Sequence, residues 1–569
     1  MREGRLICGL CAALTAMPLA AQPYPEVARN SLYVPVRDGT RLAVNIYRPA
    51  EHGRAVPSQL PVIFSFTPYR ARIRDAAGQV TEVALNDRLA LRSLIAAGYV
   101  VAVADIRGKG ASFGKRRGFQ DRTEAQDGYD LIEWLARQPF STGKVGMIGC
   151  SYLGGTTFHT ATTVPPALKA AFIGASELDK YGFVRRGGIT AQFNTRPDEP
   201  LSDDLMSVPV DDDVDGALLR SAVAQHAANT PMARLWYGMP YRDSQSSLTG
   251  NAFWNEVSVY KYLPAIRRAG TPMYFWGNWQ DEPTAQVILG AANLPGSKFL
   301  AGPGSHCTPP AGFDFTGEVR RYFDHYLKGA KNGIEHEPRA TYWVEGEGWT
   351  KSNRIPGTGV GKLSWFLARG KSGTARSVND GLLLERPAVP GSDRFTVNYD
   401  LPPIDYFAFW AQPMDDKGLS YTSAPLAAPL KLVGFPVVHL AVTSSTSDAN
   451  VFAYLDQVGP DGKAEVVSFG RLALSHRKLG PAPYNNLGLP YHSGLARDVA
   501  PLPVGQIADL TLDLSPISRI VPTGSRLRLT ITGADPRQRN LKDIIQTPAP
   551  VLAIGRGPGT SRIDLPLSL

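Results

Sequence analysis

The chain has 569 residues, enough for about three domains at roughly 100–200 residues each. Apolar residues make up 43% and charged residues 20%, which excludes a disordered chain, and the 56 glycines and 46 prolines follow no period, which excludes a collagen-like one. The net charge of +9 is mild, and no block of five or more Lys or Arg occurs, so no nucleic-acid partner is expected.

The N-terminus carries Arg2 and Arg5, an apolar run from Leu6 to Ala16, and a small-residue exit ending in Ala20-Ala21. A basic start, a short apolar core and small residues at the exit predict a signal peptide over residues 1–21, hence an exported protein, periplasmic or secreted. The run is shorter than the ~20 apolar residues that span a bilayer, and neither Cys8 nor Cys11 sits in a lipid-attachment context, so no membrane anchor is expected. Four cysteines are too few for a disulfide scaffold, and only Cys150 and Cys307 lie beyond that segment.

A first stretch, residues 29–175, alternates strand and helix. Leu32 to Tyr47 reads as two strands joined by Asp38-Gly39, a strong hairpin signal. Leu60 to Phe66 and Tyr99 to Ala104 are apolar runs suited to a sheet buried on both faces, with helical periodicity between them from Ala84 to Ala97. A helix over Asp127–Arg137 precedes another strand, Val145–Ile148. Residues 176–269 interrupt the alternation with a clear helix, Gly216–Asn229, and an acidic run, Asp211 to Asp213, expected to be a solvated helix start. Over 270–340 the alternation resumes, with strands Met273–Trp276 and Lys298–Ala301 and a helix over Val319–Leu327. Over 341–569 helical periodicity vanishes and short β-rich segments recur between turn signals. The fold class expected is α/β: a hydrolase-type core in two parts, an inserted helical cap, and a C-terminal all-β sandwich or jelly roll.

Chemistry gathers after the Val145–Ile148 strand, in Gly149-Cys150-Ser151-Tyr152-Leu153-Gly154-Gly155. A serine on a turn this tight, flanked by small residues, is a variant of the nucleophile elbow. The usual second glycine would stand at 153, where Leu153 sits, and by spacing alone a Gly-rich strand–helix turn explains the run as well. A serine hydroxyl needs a base and a group to orient that base. Asp281 follows one later strand and His306 the next, in the chain order Ser, acid, His of such hydrolases. Glu282 adjoins Asp281 as a rival acid. His159, His325 and His439 fall within helices or a strand and lack the loop context of His306.

The chain resembles the family of cocaine esterase, α-amino acid ester hydrolases and X-Pro dipeptidyl peptidases. The matching segments are Thr67-Pro68-Tyr69-Arg70, Asp105-Ile106-Arg107-Gly108, Asp127-Gly128-Tyr129-Asp130, Gly149-x-Ser151-Tyr152-x-Gly154, Trp279-x-Asp281, Gly302-Pro303-x-x-His306, Phe323 to Gly329 and Tyr421-Thr422-Ser423. They stand in family order across nearly the whole chain. The resemblance implies an α/β-hydrolase core, a helical cap and a jelly roll, and it makes Gly-x-Ser-Tyr-x-Gly the family's own elbow. With the chain order, it favours Asp281 over Glu282. It also implies an oxyanion hole from the Tyr69 hydroxyl and the Tyr152 backbone N–H, donors typically worth about 3–4 kcal/mol each in the transition state.

The expected activity is cleavage of a small-molecule ester or amide through an acyl-enzyme, with Ser151, His306 and Asp281 as the triad and no cofactor or metal. An X-Pro dipeptidyl peptidase and a glutaryl-type amide acylase are the alternatives. α-Amino ester hydrolases of the family hold the substrate ammonium with carboxylates two and three residues beyond the triad Asp. Here those positions are Pro283 and Thr284, so weak selection for α-ammonium esters is expected. Trp279 and Phe183 are candidate acyl-pocket residues, and Arg185, next to Arg186, a candidate for meeting an anionic acyl group, although a solvated cap pair is an equal reading. Oligomeric state is left open, a homo-oligomer being compatible with the sequence. Cys150 adjoins the nucleophile and Cys307 the base, so they must lie near one another. In an oxidising compartment a disulfide bracing the site is one reading; side chains beside an elbow serine are expected to turn away into packing, so the two are read instead as separate buried thiols.

Overall fold

The computed structural model of the chain describes residues 24–85, 87–191, 196–358, 361–402, 404–538 and 545–567; the segment read as a signal peptide lies outside them. Ten principal strands build the first sheet: β1 (Glu26–Pro35), β2 (Arg41–Glu51), β3 (Leu60–Thr67), β4 (Val100–Asp105), β5 (Ser141–Cys150), β6 (Leu168–Gly174), β7 (Met273–Asn278), β8 (Lys298–Gly302), β9 (Ala340–Val344) and β10 (Gly348–Ser352). Their spatial order is β1-β2-β4-β3-β5-β6-β7-β8-β9-β10. The run from β4 to β9 is parallel, with antiparallel pairs at both margins. The parallel strands are apolar without alternation because helices cover both faces: every residue of β4, β7 and β8 is buried.

Those helices include α1 (Leu91–Ala96), α2 (Arg122–Ala136) and α3 (Tyr152–Ala161). The Asp121 carboxylate caps α2 by accepting from Glu124 N–H. The single helix expected over Ala84–Ala97 is broken. Two 3₁₀ turns, Val83–Leu85 and Asp87–Leu89, precede Ala90 at φ 57°, and only α1 is α-helical. Leu85, Leu89, Leu91, Leu94 and Ile95 are all buried, more than one face of a straight helix could deliver to a core.

Between β6 and β7 the chain forms the cap, with short helices α4 (Lys180–Val184), α5 (Leu201–Leu205), α6 (Ala217–His226), α7 (Met232–Tyr237), α8 (Phe253–Val257) and α9 (Leu263–Ala269). Its acidic run is not a free solvated start. Asp211 accepts from Arg29 and from the backbone of Ser31 on β1, and the buried Asp213 accepts from the N–H groups of Leu218 and Leu219, capping α6. Two later helices, α10 (Thr284–Asn293) and α11 (Phe315–Lys328), return to the sheet.

The C-terminal region is all-β, thirteen strands around an apolar core that includes Leu367, Leu440, Leu455, Leu529 and Ile563. It begins later than residue 341, because β9 pairs in parallel with β8 and carries the first sheet on to Ser352. β9 and β10 alone read like the strands that follow; only the pairing assigns them to the first sheet.

Candidate active site

The residues singled out in the sequence converge at the C-terminal ends of the parallel strands, where such sheets place their ligands. Ser151 follows β5 and heads α3 at φ 61°, ψ −129°, a strained conformation for a residue with a side chain. The elbow's glycines have a steric cause. A Cβ on Gly149 would strike the carbonyl of Leu153, and one on Gly154 the carbonyl of Gly174 on β6. The helix needs its glycine where it crosses β6, at 154, while Leu153 is free to face the chamber over Ser151.

His306 sits in the loop after β8. Its Nε2 lies 2.8 Å from Ser151 Oγ, and its Nδ1 lies 3.0 Å from both carboxylate oxygens of Asp281, which follows β7. Asp281 is 1% exposed; burial pushes its carboxyl up from the ordinary value, and His306 is the largest influence opposing that rise. Asn278 holds the loop by donating to the carbonyls of Ser305 at 2.6 Å and Thr308 at 2.8 Å. Glu282, the rival acid, turns away to Arg471 of the β-domain at 2.6 Å. His159 and His439 are occupied elsewhere in the fold, one buried in α3 and the other paired with Asp564, and His325 meets the Ala330 carbonyl.

Tyr69 follows β3 on a turn held by Asp105, whose carboxylate accepts from the N–H groups of Ala71 and Ala111. Its ring is 42% exposed, whereas its hydroxyl is enclosed. Burial pushes the phenol up, and the neighbouring Ser151 side chain, the Arg196 charge and the Tyr152 main chain oppose the rise. The Tyr152 hydroxyl points away, donating to Glu124 at 2.7 Å, which leaves its backbone beside Ser151. Burial pushes Glu124 up to about 8.

A cavity of about 700 Å³ opens over Ser151, with Val83, Leu89, Leu153, Phe407, Phe409 and Trp410 on its walls beside the polar Arg88 and Gln280. Among the described residues, no carboxylate lines it. A second cavity of about 450 Å³ lies on the other side of Tyr69 and is polar, holding Lys109, Arg116, Arg196, Asp198 and Glu199. Sequence reasoning missed the β-domain loop that carries Phe407, Phe409 and Trp410. Phe409 stacks on the His306 imidazole at 4.1 Å between ring centroids, and Arg196 of the cap sits over Phe407. The available signal was a run of aromatics, Tyr406 to Trp410, in a stretch without strand alternation.

Three expected substrate contacts do not line the chamber over Ser151. Trp279 packs with Tyr342 and donates to the Trp343 carbonyl. Phe183 belongs to the cap's own core with Trp236 and Trp254, and Arg185 reaches the Trp236 carbonyl at 3.4 Å. Arg186 pairs with Asp513 of the β-domain. These residues are spent on packing the cap and joining it to its neighbours.

The cysteine expectation is also corrected. Cys150 and Cys307 form a disulfide with Cα atoms 5.9 Å apart. Cys150, the last residue of β5, does not turn into separate packing. It faces the same apolar cluster as Leu89 and Leu153, and Cys307, at φ 54°, bends the His306 loop back onto that face.

A parallel sheet with a strained serine at the end of its fifth strand, a histidine against that serine and an aspartate behind the histidine defines the α/β-hydrolase class. The model of the X-Pro dipeptidyl-peptidase (S15) family matches residues 38–308, and that of the X-Pro dipeptidyl-peptidase C-terminal non-catalytic domain matches residues 332–542. A putative serine esterase of Mycobacterium tuberculosis is 29% identical over 98% of this chain and 99% of its own. Cocaine esterase of Rhodococcus sp. is 24% identical over 90% of this chain and 91% of its own. In fold, the chain is similar to a CocE/NonD family hydrolase of Staphylococcus aureus, with a TM-score of 0.71 at 17% identity over 95% of this chain and 94% of that one. An α-amino acid ester hydrolase aligns with a TM-score of 0.69 at 19% identity over 99% of this chain and 100% of that one. The chain is a serine hydrolase, similar along most of its length to the S15 peptidases and to serine esterases.

Proposed function

We propose that the chain hydrolyses carboxylic esters with an apolar acyl group, through an acyl-enzyme on Ser151. His306 takes the Ser151 proton as Oγ attacks the carbonyl, and Asp281 fixes the imidazole's tautomer and stabilises the imidazolium. The oxyanion is held by the Tyr69 hydroxyl and the Tyr152 N–H. His306 then protonates the departing alcohol, and water repeats the sequence to release the acid. The observation that carries this reading is the 2.8 Å approach of His306 Nε2 to Ser151 Oγ beneath an apolar chamber.

The alternative activity, release of X-Pro dipeptides, draws on the relatives that bear that name. It needs an anchor for the substrate's ammonium. The cavity beyond Tyr69 holds Asp198, Glu199 and Asp204, and the last two are already paired with Arg70 and Lys109. A glutaryl-type acylase loses its expected anchors, since Arg185 and Arg186 are held elsewhere. Export accords with the residue 1–21 pattern and with a disulfide, which suits an oxidising compartment. A panel of p-nitrophenyl esters, glutaryl amides and X-Pro amides tests the reading. Aromatic and medium-chain esters should give the highest kcat/KM; a preference for X-Pro amides would overturn it.

A further inference from the structure

The Cys150–Cys307 bridge joins the residue before the nucleophile to the residue after its base, across 157 positions of sequence. The two sides differ in how firmly they are otherwise held. Ser151 is built into regular structure: its N–H donates to the Gly174 carbonyl of β6, and its carbonyl accepts from Gly155 in α3. His306 lies in a stretch, 303–314, with neither helix nor strand. Its loop is tied by the two Asn278 hydrogen bonds, by Asp281, by the Phe409 ring stacked on the imidazole and by the bridge. Cys307 stands at φ 54°, a strained conformation for a non-glycine residue that persists only where the surroundings impose it. Both cysteines line the chamber over Ser151, so a small thiol that enters the chamber meets the bridge.

The geometry points to Cys150 and Cys307 as positioning residues for the Ser151–His306 pair. Their bridge is a clamp that sets the approach of Nε2 to Oγ, and turnover depends on that bond being intact. The inference rests on the catalytic reading of Ser151 and His306 above. Opening the clamp is a two-electron exchange with a dithiol. One thiolate attacks a bridge sulfur and releases the other cysteine as thiolate; the dithiol's second thiolate then closes its own disulfide and frees the first cysteine. The bridge gains two electrons and two protons, and the dithiol loses them. Cys307 can then leave φ 54° and carry His306 with it, while the sheet and helices that hold Ser151 stay in place. A displacement near 1 Å between reacting groups costs about 10²-fold in rate.

The test uses the full-length protein. Alkylation and mass spectrometry without reductant identify the bridge. The protein is then treated with dithiothreitol under native conditions until the Cys150 and Cys307 peptides are both alkylated. Turnover of p-nitrophenyl butyrate, fluorophosphonate labelling at Ser151, and far- and near-ultraviolet circular dichroism are followed together. Reduction should lower kcat and the labelling rate by about 10–10²-fold, with KM within about twofold and the spectra unchanged, and reoxidation should restore both. The double variant Cys150→Ala/Cys307→Ala should match the reduced protein and ignore dithiothreitol. Free thiols at Cys150 and Cys307 in untreated protein would overturn the inference. So would full turnover after reduction, or a loss of turnover that tracks a loss of the spectra. If untreated protein is not labelled at Ser151, the catalytic reading falls and the clamp with it; equal labelling before and after reduction removes the clamp alone.

Discussion

Replacing Arg471 by methionine tests how the β-domain is keyed to the sheet behind Asp281. Arg471 lies on the strand Ala464–Ala473, 2% exposed, and its Nη1 meets Glu282 Oε1 at 2.6 Å. Arg537 stands 3.7 Å from the other carboxylate oxygen. Methionine keeps much of the side-chain bulk, so charge is the main loss. A buried carboxylate stripped of its partner costs about 3–5 kcal/mol, and the remaining attraction of Arg537 puts the expected loss near 3 kcal/mol. Burial pushes the Glu282 carboxyl up, but Arg471, Arg537 and Arg186 outweigh it and hold the group below its ordinary 4.5. A folded-state value below the unfolded one gives stability that is present above the unfolded value and lost as pH falls through the folded value. The variant should therefore be weaker than the parent at pH 7, and the gap should narrow as pH drops below 4.5. Urea unfolding at both pH values measures this. Arg471→Met/Glu282→Gln, which removes the orphaned charge, should recover most of the loss. A loss below about 1 kcal/mol at pH 7, or a double variant no better than the single one, would refute the reasoning.

Tyr69→Phe should lower kcat by about 10²–10³-fold with KM little changed, because the hydroxyl acts in the transition state; a rise in KM at constant kcat would make Tyr69 a substrate-binding residue instead. Burial pushes Glu124 up to about 8, so the folded chain keeps a proton that the unfolded chain releases near 4.5. Stability should then fall between those pH values by at most about 1.4 kcal/mol per unit, and Glu124→Gln should flatten the thermal-unfolding profile; parallel profiles would contradict the buried proton. Gly154→Ala forces a Cβ into the Gly174 carbonyl, a backbone atom that cannot swing aside, so a loss of about 2 kcal/mol or more is expected, and an unchanged Tm would refute the packing argument.

Sequence grouped Ser151, Asp281 and His306 because each follows an apolar run read as a buried strand, in the order of those strands, and the structure brings the three side chains together. It misjudged what depends on partners distant in sequence. Trp279, Phe183 and Arg185 carry the right chemistry for a pocket, but tertiary packing uses them for the cap and the domain joint. The walls of the chamber come instead from two 3₁₀ turns, Val83–Leu85 and Asp87–Leu89, and a β-domain loop, Phe407–Trp410, whose positions no local period encodes. The disulfide was missed for a related reason: the direction of Cys150 follows from β5, but that of Cys307 depends on a left-handed residue in an irregular loop. The hairpin β9–β10 reads as part of the β-domain until its parallel pairing with β8 is seen.

The most direct measurement of the central claim is active-site labelling of Ser151. A fluorophosphonate should attach one equivalent to the untreated protein, peptide mapping should place it on Ser151, and esterase activity should fall in proportion to labelling. Ser151→Ala should fold with the parent's spectrum, take up no label, and lose turnover by several orders of magnitude. A variant that keeps more than about a few per cent of parental turnover, or a label found on another residue while activity disappears, would contradict the account.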